Sequence, residues 1–258
     1  MSPEKLGQHF LTDSSWQERI ANAVRIDEGV WVEIGAGHGE MTTRLARRAR
    51  KVFAIELDRS LAARLREVTA SLNNVSVIES DVLAVDFAKL SGGARFSVYG
   101  NLPYYITSPI LHRLFEHADR IAAIHIVIQF EVAARIVAPP GRRDYGYLSV
   151  VSQWFGRPEI VFRIPAGAFR PPPKVASALV SFRMPGIREK NSLDDEAAFL
   201  NFVKECFAQK RKTLRNNLRG RLGNRTDDVL LEAELPVNAR AEQLSVQKLA
   251  ALFRLARK

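Results

Sequence analysis

The chain has 258 residues, 47% of them hydrophobic, and 38 Lys and Arg against 28 Asp and Glu give a formal net charge of +10. That length supports a sizeable core, and the excess of base points to a polyanionic partner, either nucleic acid or an anionic membrane surface. A single cysteine excludes an intramolecular disulfide, no apolar run is long enough to span a bilayer, and the five histidines show no metal-ligand spacing.

In chain order, MSPEKLGQHF lacks the apolar stretch of a signal peptide, so the expectation is a cytoplasmic, metal-free protein. VWVEIG (30–35) reads as a strand and GEMTTRLARRA (39–49) as a helix. KVFAIE (51–56) is a second strand, followed by a helix over 58–70 with Asp58 as its N-cap. Further strands are expected at 74–80, 95–100 and 122–129, with helical patterns near 108–117 and 131–138. Apolar strands separated by helices imply a parallel sheet covered on both faces, a doubly wound, Rossmann-like α/β domain. Residues 158–164 and 175–184 read as a late antiparallel hairpin around the proline-rich PAGAFRPPPK. MPGIREKNS (184–192) reads as a linker, and from there the pattern is helical to Lys258. The expected division is therefore 1–184 for the α/β domain and 185–258 for a small all-helical C-terminal domain. Cys206 lies among Phe199, Phe202, Val203 and Phe207 and is expected in the core.

VEIGAGHGE places Gly35, Gly37 and Gly39 directly after the first strand, where a tight turn lets the backbone approach a ligand. The spacing is neither the dinucleotide fingerprint nor a P-loop, and a plain strand-to-helix turn explains it equally well. Glu56 ends the second strand, where a carboxylate can take both ribose hydroxyls, and Asp81 follows the third, where an acid can accept from an adenine amino group. Either acid alone reads as a solvated strand end, but one turn and two acids on consecutive strand ends describe an adenosine site. With a fourth strand ending in Asn101-Leu102-Pro103-Tyr104, the best candidate ligand is S-adenosylmethionine.

The NLPY segment has a chemical rationale. An exocyclic adenine amine is a poor nucleophile because its lone pair is delocalised into the ring. The Asn101 side-chain oxygen and the Leu102 carbonyl could each accept one amino N–H and aim the lone pair at a methyl donor. Pro103 fixes the backbone, and Tyr104 can stack on a base that has left its helix. The order of motifs resembles class I methyltransferases acting on exocyclic amines.

GQHFL (7–11), IELDRSLAARL (55–65), GNLPYYITSPI (100–110), FRPPPKVASALV (169–180) and KRKTLRNNL (210–218) together resemble the KsgA family, nearly over the whole chain. That resemblance implies a small-subunit rRNA adenine dimethyltransferase acting on two adjacent adenosines in a hairpin loop near the 3′ end, as a monomer on the small ribosomal subunit or its precursor. It places His9 and Leu11 where the N-terminal segment closes over the cofactor, and Gly35, Gly37, Glu56 and Asp81 around its methionine, ribose and adenine parts. It puts Asn101 between cofactor and target, and Phe169 on the second face of the target base, where a plain core phenylalanine is the competing reading. Two departures stand out: a short N-terminal arm with only Lys5 as a basic residue, and Phe130 where relatives are expected to carry lysine. Two alternatives remain, a large-subunit rRNA methyltransferase of the erythromycin-resistance type and a non-catalytic rRNA-binding assembly factor. Finally, Arg211, Arg215 and Arg219 are expected on one helical face beside Leu214, Leu218 and Leu222, an acid-free stripe suited to a phosphate backbone.

Overall fold

A computed structural model describes residues 9–257. Gly7 and the arm before it, including Lys5, lie outside the described residues. The chain divides into two compact units, one running through Ala133 and resuming over Glu159–Met184, the other comprising Ala134–Pro158 and the chain from Pro185 on. The expected divide at 184/185 is one of these junctions. The second unit also takes in 134–158, where the helix Tyr147–Phe155 was not read from the sequence.

The first unit is built on strands β1 (Phe10–Leu11), β2 (Val30–Ile34), β3 (Lys51–Glu56), β4 (Val75–Glu79), β5 (Phe96–Asn101), β6 (Ile121–Gln129), β7 (mostly in this unit, Arg157–Ile164), β8 (Phe169–Arg170) and β9 (Ser177–Arg183). Seven of them form one sheet in the order β4-β3-β2-β5-β6-β9-β7. The pairs β2–β3, β3–β4, β2–β5 and β5–β6 are parallel, and β6–β9 is antiparallel. Every residue of β2 is buried, as is all of β5 up to Gly100, which is why these strands read as continuous apolar runs rather than as alternation. Asp58 caps the helix Arg59–Val68, its carboxylate accepting from the Ser60 and Leu61 N–H groups.

The crossover at β2 leaves β3 on one side and β5 on the other, so the carboxyl ends of these strands frame a crevice at the switch point. The two-residue strands β1 and β8 pair antiparallel, Leu11 opposite Phe169, and tie the N-terminal segment to the proline-rich segment.

The second unit packs helices Tyr147–Phe155, Glu196–Cys206, Leu214–Leu222, Thr226–Glu232 and Val246–Arg257. Its core is aromatic: Trp154 lies 4.6 Å from Phe199 and Phe253 lies 5.5 Å from Phe202, centroid to centroid. Cys206 is buried there, and burial pushes its thiol above the usual range. No helix among the described residues is long and apolar enough to cross a membrane.

Candidate active site

The glycine turn takes its form from backbone demands. Gly35, Gly37 and Gly39 all have positive φ, at 71°, 55° and 91°. The Gly35 and Ala36 N–H groups donate to the Ile55 carbonyl of β3 at 2.9 and 3.2 Å. At Gly37 an L side chain is doubly excluded, because its Cβ would stand 3.3 Å from the Phe10 ring. Glu56 is buried and braces the turn, one oxygen accepting the Gly37 N–H at 2.8 Å and the other the Asp58 N–H at 3.0 Å. Each carboxylate oxygen retains a second acceptor direction.

Three adjoining cavities share Gly35. The first runs past Glu56 and Asp81 between apolar walls from Leu57, Val82, Ile106 and Ile110, with the exposed Tyr105 at its edge. One Asp81 oxygen accepts from the Leu83 N–H at 2.9 Å, which leaves the other for a ligand donor. Apolar walls with one acid at the end suit a purine carrying an amino group.

The second cavity is polar beneath and aromatic above: Glu33, Gly37, Tyr99 and Asn101 line it together with Phe10 and Leu11. Glu33 and Tyr99 are cross-strand partners, both fully buried. Burial pushes the Glu33 carboxyl up to about 8, although the Thr42 hydroxyl donates to it at 2.5 Å. Burial also raises the Tyr99 phenol, whose oxygen has no hydrogen-bond partner.

The third cavity gathers His9, Glu56, Asn101, Leu102, Pro103 and Tyr104. Asn101 ends β5, and its Nδ2 donates to the His9 carbonyl at 2.9 Å, so the amide oxygen is left as an acceptor. The turn after it is locked, with the Leu102 N–H donating to Val127 O at 3.0 Å and the Pro103 carbonyl accepting from Ile106 N–H and Thr107 Oγ1 at 3.2 Å each. The Tyr104 hydroxyl and Ser177 Oγ are 3.0 Å apart, and the Tyr104 ring lies 5.3 Å from that of His9. The His9 Nδ1 in turn donates to the Pro171 carbonyl at 2.7 Å. The structure thus brings His9, Leu11, Gly35, Gly37, Glu56, Asp81, Asn101, Leu102, Pro103 and Tyr104 around one continuous crevice.

Two expectations need correction. Phe169 is fully buried in a core cluster with Ile20, Trp31 and Leu179 and offers no ring face to a base, because β8 pairs it with β1 over that core. The arginine stripe also fails as a single helical face. The helix begins at Leu214 with Thr213 as its cap, so Arg211 stands in the preceding turn. Nor is the stripe free of acids, since Arg215 forms a two-pronged pair with Asp227, both bonds 2.6 Å long, and Arg221 pairs with Glu205. Arg211 and Arg219 are exposed, and Leu214, Leu218 and Leu222 are buried. At Phe130, the Arg163 guanidinium lies 3.9 Å from the ring centroid, so a cation stands over the ring where lysine was expected.

Phe10, Glu33, Tyr99 and Tyr105 belong to the crevice but were not singled out from the sequence. Glu33 carried a usable signal, an acid within an otherwise apolar strand directly before the glycine turn.

The ribosomal RNA adenine dimethylase family model matches residues 3–258. Among relatives, a ribosomal RNA small subunit methyltransferase A of Acidobacterium capsulatum is 44% identical over 254 residues, spanning 97% of this chain and 89% of the relative. Its counterpart in Koribacter versatilis is 40% identical, over 98% and 94%. Among solved structures, a dimethyladenosine transferase from Plasmodium falciparum superposes with a TM-score of 0.79 at 25% identity, covering 96% of this chain and 98% of that one. The 23S rRNA methyltransferase ErmE gives 0.71 at 27% identity, covering 96% and 100%. Together with a glycine turn and strand-end acids suited to an adenosine ligand, these matches show that this chain belongs to the ribosomal RNA adenine dimethylase family and is an S-adenosylmethionine-dependent rRNA methyltransferase.

Proposed function

We propose that this chain dimethylates the N6 amines of two adjacent adenosines in a hairpin loop near the 3′ end of small-subunit rRNA. The observation that carries the reading is the Asn101 amide. Its NH2 is engaged by His9, and its oxygen is left as an acceptor beside the Leu102 carbonyl in a cavity shared with Tyr104. The relatives of 40–44% identity are named for the small subunit, which favours that substrate over large-subunit rRNA.

When bound, S-adenosylmethionine supplies an electrophilic sulfonium methyl. In this reading Asp81 accepts from its adenine amino group and Glu56 from its ribose hydroxyls, while Gly35 and Gly37 let the backbone close on it. His9 and Leu11 cover it from the N-terminal segment. Asn101 Oδ1 and the Leu102 carbonyl each accept one N–H of the target amine, which draws the nitrogen out of conjugation and directs its lone pair. Pro103 holds that carbonyl in place, and Tyr104, anchored through Ser177, stacks on the flipped base. No general base is needed, because the alkylated amine is acidic enough to lose its proton to water.

Arg211 and Arg219 contact rRNA phosphates, and the protein works as a monomer in the cytoplasm on the small subunit or its precursor. Mass spectrometry of rRNA from cells lacking this protein tests the reading. Dimethyladenosine should disappear from the small-subunit RNA and return with the wild-type gene. Its loss from large-subunit RNA instead would identify the erythromycin-resistance type of activity, and no loss from either would indicate a non-catalytic assembly factor.

A further inference from the structure

The pair Glu33 and Tyr99 sits at the end of the crevice away from Asp81, and the transfer geometry above gives it no task. The two residues face each other across β2 and β5, are 2% exposed each, and line one cavity with Gly35, Gly37 and Asn101. A buried phenol oxygen without a hydrogen-bond partner is costly and asks for a polar group from a ligand. The surrounding charge indicates which sign that group carries. Glu40, on the helix after the turn, and Glu56, on β3, both press on Glu33 with like charge. Arg44 acts on Tyr99 but is paired with Glu18 at 3.5 Å, and His38 lines the same cavity. Acids predominate over the cavity's own bases, so a cation is favoured there.

We propose that Glu33 and Tyr99 form a proton-coupled receptor for the α-ammonium group of S-adenosylmethionine. Glu33 is neutral in the free protein and releases its proton to solvent as the ammonium arrives. Its carboxylate then accepts one ammonium N–H, and the Tyr99 oxygen accepts another. The assignment rests on the adenosine end of the ligand lying at Asp81, which puts the amino-acid end at Glu33. Burial is what keeps Glu33 protonated near neutrality, with its titration moved to about 8, and an incoming positive charge reverses that balance.

The test is calorimetry of S-adenosylhomocysteine binding, which involves no turnover, in buffers of different ionisation enthalpy between about pH 6 and 7.5, where the ligand's amine stays charged. Wild-type protein should release close to one proton, and affinity should rise by up to about tenfold per pH unit. Methylthioadenosine, which lacks the amino-acid end, should bind with no proton release. Glu33→Gln should abolish release on S-adenosylhomocysteine binding. Tyr99→Phe, which keeps the ring, should weaken S-adenosylhomocysteine severalfold and leave methylthioadenosine unchanged. Normal S-adenosylhomocysteine binding without proton release, or equal release with methylthioadenosine, would overturn the receptor and leave the cofactor reading intact. Failure of the wild type to bind either ligand would overturn the cofactor reading itself. The wild-type measurement needs no variant, so a Glu33→Gln chain that fails to fold does not remove the test.

Discussion

Asn101 has two separable jobs, and substitution can tell them apart. Its NH2 donates to the His9 carbonyl at 2.9 Å, across 92 positions of sequence, and so ties the end of β5 to the N-terminal segment. Its oxygen is assigned to the target amine. Asn101→Ala removes both. Loss of one neutral, partly buried hydrogen bond should cost about 1 kcal/mol of stability, a fall in Tm of roughly 2–4 °C for a chain of this size. Loss of one oriented acceptor at the reacting centre should lower kcat by about 10²–10³-fold. Asn101→Asp keeps an acceptor of the same shape but turns the donor facing His9 O into a second acceptor. It should therefore match or exceed the stability loss of Asn101→Ala while retaining more turnover. Methyl transfer from radiolabelled cofactor to small subunits from cells lacking the protein gives kcat, and thermal unfolding gives the stability change. Near-normal turnover of Asn101→Ala, with only its stability reduced, would show that Asn101 is a strut for the N-terminal segment and that the amine is oriented elsewhere.

Asp81→Ala should weaken S-adenosylmethionine by about 1–3 kcal/mol, the scale of one lost hydrogen-bond partner, with unchanged affinity in calorimetry removing Asp81 from the site. His125 is buried against Trp31 with its Nδ1 2.8 Å from Ser181 Oγ, and burial lowers its titration from 6.5 to about 4. The unfolded chain therefore binds the extra proton between these values, so this imidazole contributes stability at neutral pH that is lost as pH falls from about 6.5 to 4, up to about 3 kcal/mol. Glu33, raised from 4.5 to about 8, slopes the opposite way, so the readout is the difference in denaturant stability between wild type and His125→Asn across that window; parallel pH profiles would refute the assignment. Arg211→Glu with Arg219→Glu should weaken rRNA binding and flatten its salt dependence with cofactor affinity unchanged, while an unchanged slope in filter binding would return both arginines to plain surface. Arg215 is left out of that pair because its partner Asp227 would face a like charge.

What the sequence determined alone was whatever depends on neighbours along the chain. The buried parallel strands, the Asp58 cap, the glycine turn and the order of strand-end acids are all local patterns. They placed Gly35, Glu56, Asp81 and Asn101 at the carboxyl ends of adjacent strands. Tertiary structure alone decided the rest, because it depends on pairings between distant segments that leave no periodic trace. Strands β1 and β8 are two residues each, too short for any alternation, yet their pairing buries Phe169. Arg215 lost its expected freedom to Asp227, an acid twelve positions on and beyond the end of its own helix. Glu33 looks like one polar residue in an apolar strand until β5 brings Tyr99 alongside it in register, and burial, a property of the packed sheet, then changes what that carboxyl can do.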